Sequence, residues 1–288
     1  MPRSHRLLTV DIDGTLVDSH GEVPDRNRAA LRAAHEAGLR VCLCTGRSLA
    51  ETRSVLDRLD LDLDAAVLVF GAIVWDLREH RTLLRSHLPT GTAARLVRFF
   101  TERRDSILLL FDVSEGGVDY RLVQGDGDVE AYEGWIRRSP AVTERIEAWT
   151  PEIGQPIRIG VIQEPCCIAE TMQALGREFS AEEVKYNAIY APNYGFHVVE
   201  CFAPQVSKWH GIGHLLRLWG ITPAEVVAVG DDINDVEMIA GAGLGVAMGN
   251  AIDAVRAVAK WRVPTNDECG VAVLVDALLS GKAPSDRE

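Results

Sequence analysis

Short apolar runs closed by turn residues alternate along the chain with segments whose apolar positions recur every three or four residues, the mark of buried strands followed by helices. Leu7 to Val10 is the first run, and Asp11-Ile12-Asp13-Gly14-Thr15 follows where that strand should end. Pro24 to Gly38 carries Ala29, Leu31, Ala34 and Ala37 at mostly helical spacing, with Gly38 as the stop. Leu39 to Leu43 is a second strand, running into Cys44-Thr45-Gly46-Arg47, and strand, helix, strand predicts a parallel pair. Ser48 to Leu59 reads as a helix, Ala65 to Phe70 as a third buried strand ending at Gly71, and Trp75 to Leu84 as a short hairpin or turn segment.

From Ser86 to Tyr190 the rhythm changes. Helices are expected at Gly91 to Arg104, around Tyr132 to Arg138 and near Ile168 to Phe179. Strands are expected at Ile107 to Phe111, Tyr120 to Val123, Ile157 to Ile162 and near Val184 to Tyr190, with turns at Glu115-Gly116-Gly117 and Gly125-Asp126-Gly127-Asp128. Past Phe196 to Cys201 the first rhythm returns. Ser207 to Trp219, Val236 to Ala240, Ala251 to Val258 and Gly270 to Leu279 read as helices, Val226 to Val229 and Leu244 to Ala247 as strands, and Ser280 to Glu288 as a polar, frayed tail. These patterns predict an α/β chain whose parallel-sheet core is built from residues 1–85 and 191–288, interrupted by an α+β insert over 86–190.

Composition narrows the class. The 288 residues are 47% hydrophobic and 25% charged, ordinary for a globular protein. The 42 acidic against 30 basic residues give a net charge of -12, and basic runs never exceed a pair such as Arg103-Arg104, which argues against a nucleic-acid partner. Apolar runs are short and broken by charge, so neither a membrane span nor a signal peptide is expected. Cys42, Cys44, Cys166, Cys167, Cys201 and Cys269 form no C-x-x-C pair and no zinc spacing, which predicts reduced thiols in a cytoplasmic protein.

Candidate chemistry gathers at strand ends, where ligands bind in open α/β sheets. Asp11 and Asp13 follow the first strand, Thr45 the second, and Gly230-Asp231-Asp232-Ile233-Asn234-Asp235 a later one, with Lys208 at the start of a helix. A calcium loop is a poor alternative, because Gly14 at its sixth position would put Thr9 and His20 at its first and twelfth. Carboxylates around a hard divalent ion, with one Lys and one Thr, are what phosphoryl transfer to a carboxylate requires. In that reading Asp11 is the nucleophile, and Asp13 is the acid/base that also lends its backbone carbonyl to the metal. Asp11, Asp13, Asp231 and Asp235 hold Mg2+, while Thr45, Gly46, Arg47, Lys208 and Asn234 hold phosphate.

The four motifs Asp11-Ile12-Asp13-Gly14-Thr15-Leu16, Thr45-Gly46-Arg47, Lys208 and Gly230-Asp231-Asp232-Ile233-Asn234-Asp235 resemble those of the haloacid dehalogenase superfamily. The insert, with Val246-Ala247-Met248-Gly249-Asn250-Ala251 and Thr265-Asn266-Asp267-Glu268-Cys269-Gly270-Val271, is similar to its Cof-type branch, although Phe70-Gly71 stands where that branch commonly has Asn-Gly. The resemblance implies a Rossmann-like core, an α+β cap that chooses the substrate, and Mg2+-dependent hydrolysis of a small phosphate ester such as a sugar phosphate. Two rival expectations remain: a phosphomutase using the same aspartyl-phosphate, and a non-catalytic regulatory module of the same fold.

Overall fold

The computed structural model describes residues 5–112, 117–126, 129–191 and 194–282. The expected turn residues 115, 116, 127 and 128, and the tail from 283, lie outside the described residues. The chain divides into two compact units: Met1–Ser48, Thr52–Leu84 and Ser207–Glu288 form the first, and Leu49–Glu51 with Arg85–Val206 the second.

The first half of the first unit runs β1 (Leu7–Asp11), α1 (Asp25–Glu36), β2 (Arg40–Cys44), α2 (Leu49–Leu59), β3 (Ala65–Leu68), β4 (Ile73–Asp76) and β5 (Arg81–Arg85). The second unit follows with α3 (Thr90–Glu102), β6 (Ile107–Leu110), β7 (Tyr120–Val123), α4 (Val129–Arg138), β8 (Thr143–Ile146), β9 (Arg158–Gln163), α5 (Pro165–Glu178), β10 (Lys185–Ala191) and β11 (Phe196–Phe202). The chain then completes the first unit with α6 (Lys208–Trp219), β12 (Val226–Gly230), α7 (Val236–Gly241), β13 (Leu244–Ala247), α8 (Asp253–Val258), β14 (Trp261–Arg262) and α9 (Gly270–Ser280).

The first sheet is ordered β14-β13-β12-β1-β2-β3-β4-β5. Its strands are parallel from β14 through β3, and β4 returns antiparallel to β3. The central strands are buried along their whole length, as expected where a parallel sheet is covered on both faces. Register places Asp11 level with Cys44, and Val10 level with Val229. Asp11, Thr45 and Asp231 therefore leave three neighbouring strands at one edge of the sheet.

The third strand is shorter than its apolar run predicts. It stops at Leu68, because Val69 and Phe70 turn left-handed, at φ 51° and 56°, to bring the chain back as β4. Positive φ is costly for a β-branched residue, so packing must enforce this turn. Gly71 completes it at φ 98°, where a Cβ would lie 1.8 Å from the Ser207 carbonyl oxygen. Only glycine lets this turn press against the N-terminus of α6, the helix that begins with Lys208.

The second unit holds a six-stranded sheet ordered β10-β11-β9-β6-β7-β8. α3 and α5 cover one face, where Leu96, Phe100 and Leu175 join Leu109, Ile159, Val161 and Val199 in a core of its own. One expected boundary moves: β11 pairs antiparallel with both β10 and β9, so the insert runs from Arg85 to Val206 rather than ending at Tyr190. The apolar alternation of Phe196 to Phe202 suits either sheet, and only its partners assign it.

Candidate active site

Lys208, the first residue of α6, is fully buried and has a carboxylate on each side. Its Nζ donates to Asp11 Oδ1 and to Asp235 Oδ1, each at 2.6 Å. A lysine at a helix N-terminus faces an unfavourable dipole, so these two carboxylates must hold it there. Burial alone would lower the Lys208 pKa, but the two carboxylates prevail and raise it, so the ammonium stays charged.

The loop after β12 is braced by its own acid. Asp235 Oδ2 accepts from the backbone N–H groups of Asp231, at 3.0 Å, and Asp232, at 3.1 Å. Asp231 in turn accepts from the Thr15 hydroxyl at 2.8 Å. Asn250 Nδ2 donates to the Gly14 carbonyl at 2.8 Å and approaches Asp231 Oδ2 at 3.4 Å, tying three loops together. Thr15 and Asn250 lie inside the quoted motifs, but nothing in their spacing assigned them these contacts.

Asp11, Asp231 and Asp235 each place a carboxylate oxygen within 4.8 Å of the others. Burial first, then Asp235, pushes the Asp11 carboxyl well above the usual range, with Lys208 opposing. Burial likewise pushes Asp231 up to about 7, against the Thr15 hydrogen bond and with Asp235 adding to it. Three carboxylates share one ammonium, so the cluster is short of positive charge, and this repulsion adds to the burial that chiefly raises the values. Hard oxygen donors with such a shortage fit a hard divalent cation such as Mg2+.

Asp13 stands apart from this group. Its carboxylate is half exposed and is gripped by the Arg47 fork, Nε to Oδ2 at 2.9 Å and Nη2 to Oδ1 at 2.5 Å. Any hold of Asp13 on a metal therefore falls to its backbone carbonyl. Thr45 is buried, with its hydroxyl accepting from the Arg47 N–H at 3.1 Å. The Phe70 ring lies so close to Gly46 that a Cβ there would sit 2.4 Å from it. Asn234 Oδ1 is buried and without a hydrogen-bond partner among the described residues.

A family model for haloacid dehalogenase-like hydrolases matches residues 8–275. Two Bacillus subtilis (strain 168) proteins align with nearly the whole chain. The 5-amino-6-(5-phospho-D-ribitylamino)uracil phosphatase YwtE is 27% identical, over 96% of this chain and 99% of its own. Phosphatase YwpJ is 26% identical, over 95% of this chain and 100% of its own. A solved haloacid dehalogenase-like hydrolase from Bacteroides thetaiotaomicron superposes with a TM-score of 0.78 at 24% identity, covering 95% of this chain and 99% of that one, a likeness of fold.

Proposed function

Because the chain belongs to the haloacid dehalogenase-like hydrolases, we propose that it hydrolyses a small phosphorylated metabolite through an aspartyl-phosphate on Asp11, with Mg2+ as cofactor. It is a phosphomonoester hydrolase, the class to which its Bacillus relatives' names point. The observation that carries the mechanism is the convergence of Asp11, Asp231 and Asp235 on a buried, doubly paired Lys208.

Lys208 fixes Oδ1 of Asp11, which leaves Oδ2 to attack phosphorus as the bond to the leaving oxygen breaks. Asp13 gives that oxygen a proton. It then takes one from the water that splits the aspartyl-phosphate, returning Asp11 and releasing inorganic phosphate. Thr45, Gly46, Arg47, Lys208 and Asn234 cradle the non-reacting phosphate oxygens, Asn234 through its amide N–H groups. Asp11, Asp231, Asp235 and the Asp13 carbonyl would hold Mg2+, which supplies the positive charge that lets a carboxylate approach a phosphate dianion.

The insert from Arg85 to Val206 serves as the cap that selects the alcohol part of the substrate. Among the described residues no helix is long and apolar enough to cross a membrane, and the six cysteines are free, in keeping with the cytoplasmic location we propose. The test is phosphate release from p-nitrophenyl phosphate with and without Mg2+. Turnover should need the metal, and Asp11→Asn should lower it by about 10⁴-fold or more; metal-independent turnover, or a fully active variant, sinks the reading.

A further inference from the structure

Two of the six thiols stand together in the second unit, and no step of the proposed reaction involves them. Cys166 and Cys167 open α5, directly after Pro165, and both are exposed. Consecutive residues on a helix do not ordinarily face each other. Here the two side chains nonetheless turn to one side, so that their Sγ atoms lie 3.6 Å apart. Cys42, Cys44 and Cys201 are buried, and Cys269 is partly so.

That separation decides what the pair can hold. A disulfide needs sulfurs about 2.05 Å apart and Cα atoms about 4.4–6.8 Å apart, whereas chain neighbours are held at about 3.8 Å. Closing one would also disturb the first turn of α5, where the Cys167 N–H donates to the Glu164 carbonyl at 2.9 Å. A thiolate–metal bond is about 2.3 Å long, so an ion held linearly would want its two sulfurs about 4.6 Å apart. A centre with a bond angle of about 100° would want them about 3.5 Å apart, and only this bent arrangement fits. Zinc is bent but takes four ligands, and among the described residues the group of three or more His, Cys, Asp or Glu that could share an ion is Asp11, Asp231 and Asp235. What remains is a centre satisfied by two sulfurs. A trivalent arsenical with one carbon substituent is such a centre, pyramidal and with two exchangeable oxygens.

The surroundings favour a neutral reagent. The Cys167 thiol is pushed up, first by its hydrogen bond with Cys166 and to a smaller extent by the Glu170 and Glu164 carboxylates. The pair therefore stays protonated, beside acids that repel anions. We infer that Cys166 and Cys167 form a dithiol site that captures a neutral, monosubstituted trivalent arsenical as a cyclic dithioarsenite. Two As–S bonds form as two As–O bonds break, and the thiol protons leave with the two hydroxyls as water. Arsenic stays trivalent, so the step needs no oxidant. Because both sulfurs already stand at chelating distance, the helix turn pays little to bind.

The experiment adds phenylarsine oxide to the reduced full chain in millimolar glutathione and reads the adduct by native intact mass. One phenylarsenic group per chain should be retained against the monothiol and removed by ethanedithiol. Cys166→Ser and Cys167→Ser, each checked for folding by its thermal melt, should each weaken binding by about 100-fold or more, because the second sulfur is captured intramolecularly. Cys269→Ser should bind as wild type does. Loss of the wild-type adduct to glutathione overturns the inference. So does an adduct that survives when Cys166 and Cys167 are both replaced, which would place arsenic on other thiols such as the buried Cys42 and Cys44. Turnover is not the readout, so this inference and the phosphatase reading stand or fall separately.

Discussion

Lys208 is the cation that two buried carboxylates share. Removing it leaves Asp11 and Asp235 buried without their shared cation, and breaking such a pair costs about 3 kcal/mol or more. Lys208→Ala should therefore lower the urea midpoint as well as abolish turnover. Millimolar Mg2+ should recover part of the stability, because a bound cation answers the same charge shortage; a midpoint indifferent to Mg2+ would count against the carboxylates as its ligands. Phe70 and Gly46 make a second residue-level test. Gly46→Ala forces a methyl into the Phe70 ring and should cost about 1–3 kcal/mol. Much of that loss should vanish in a Phe70→Ala background, and a double-mutant cycle in denaturant would measure the coupling. The identity of most site residues could be read from motif order, but their pairing could not. Asp235 reads in sequence as one more metal ligand, and nothing in its spacing shows that its carboxylate also accepts from Lys208 and two backbone N–H groups.

At the scale of elements, α6 governs how the site is presented. Ser207 caps it by accepting from the His210 N–H at 3.1 Å, and Gly71 packs against the same turn. Ser207→Ala should cost about 1 kcal/mol, a Tm drop of about 2–4 °C followed by circular dichroism. Turnover should fall by more than the lost folded fraction, since the cap positions the turn that begins with Lys208. Elements with strong apolar runs were legible: the strands of the parallel sheet are marked by Leu7 to Val10, Leu39 to Leu43 and Val226 to Val229. Two of the edge strands were not. β8 is Thr-Glu-Arg-Ile, only partly buried, and β14 is two residues long, so neither carries the hydrophobic signal by which strands are found. Ala65 to Phe70 erred the other way, because a continuous apolar run conceals the left-handed turn at Val69 and Phe70.

For the whole molecule, each unit has its own buried core and reports through its own tryptophans. Trp135 and Trp149 belong to the second unit, and Trp75, Trp209, Trp219 and Trp261 to the first. Lys208→Ala should shift the unfolding seen by the first-unit tryptophans more than that seen by Trp135 and Trp149; equal shifts in variants keeping one set of tryptophans would show the units to unfold together. The alternation of βαβ units with a differently patterned stretch made two units legible, but where the second ends depended on strand pairing across the chain. That pairing decides how such enzymes can be recombined. A chimera joined at Tyr190 would sever the β10–β11 hairpin and leave Glu200 behind in the recipient while Asn187 travelled with the donor. Joined between Val206 and Ser207, the transferred segment carries its whole sheet, Asn187 and Glu200 included, and leaves Lys208 with its helix cap. Under the role proposed for the insert, heritable changes of substrate should move as one cassette from Arg85 to Val206, a unit of exchange whose far border lies one residue before the lysine's helix cap.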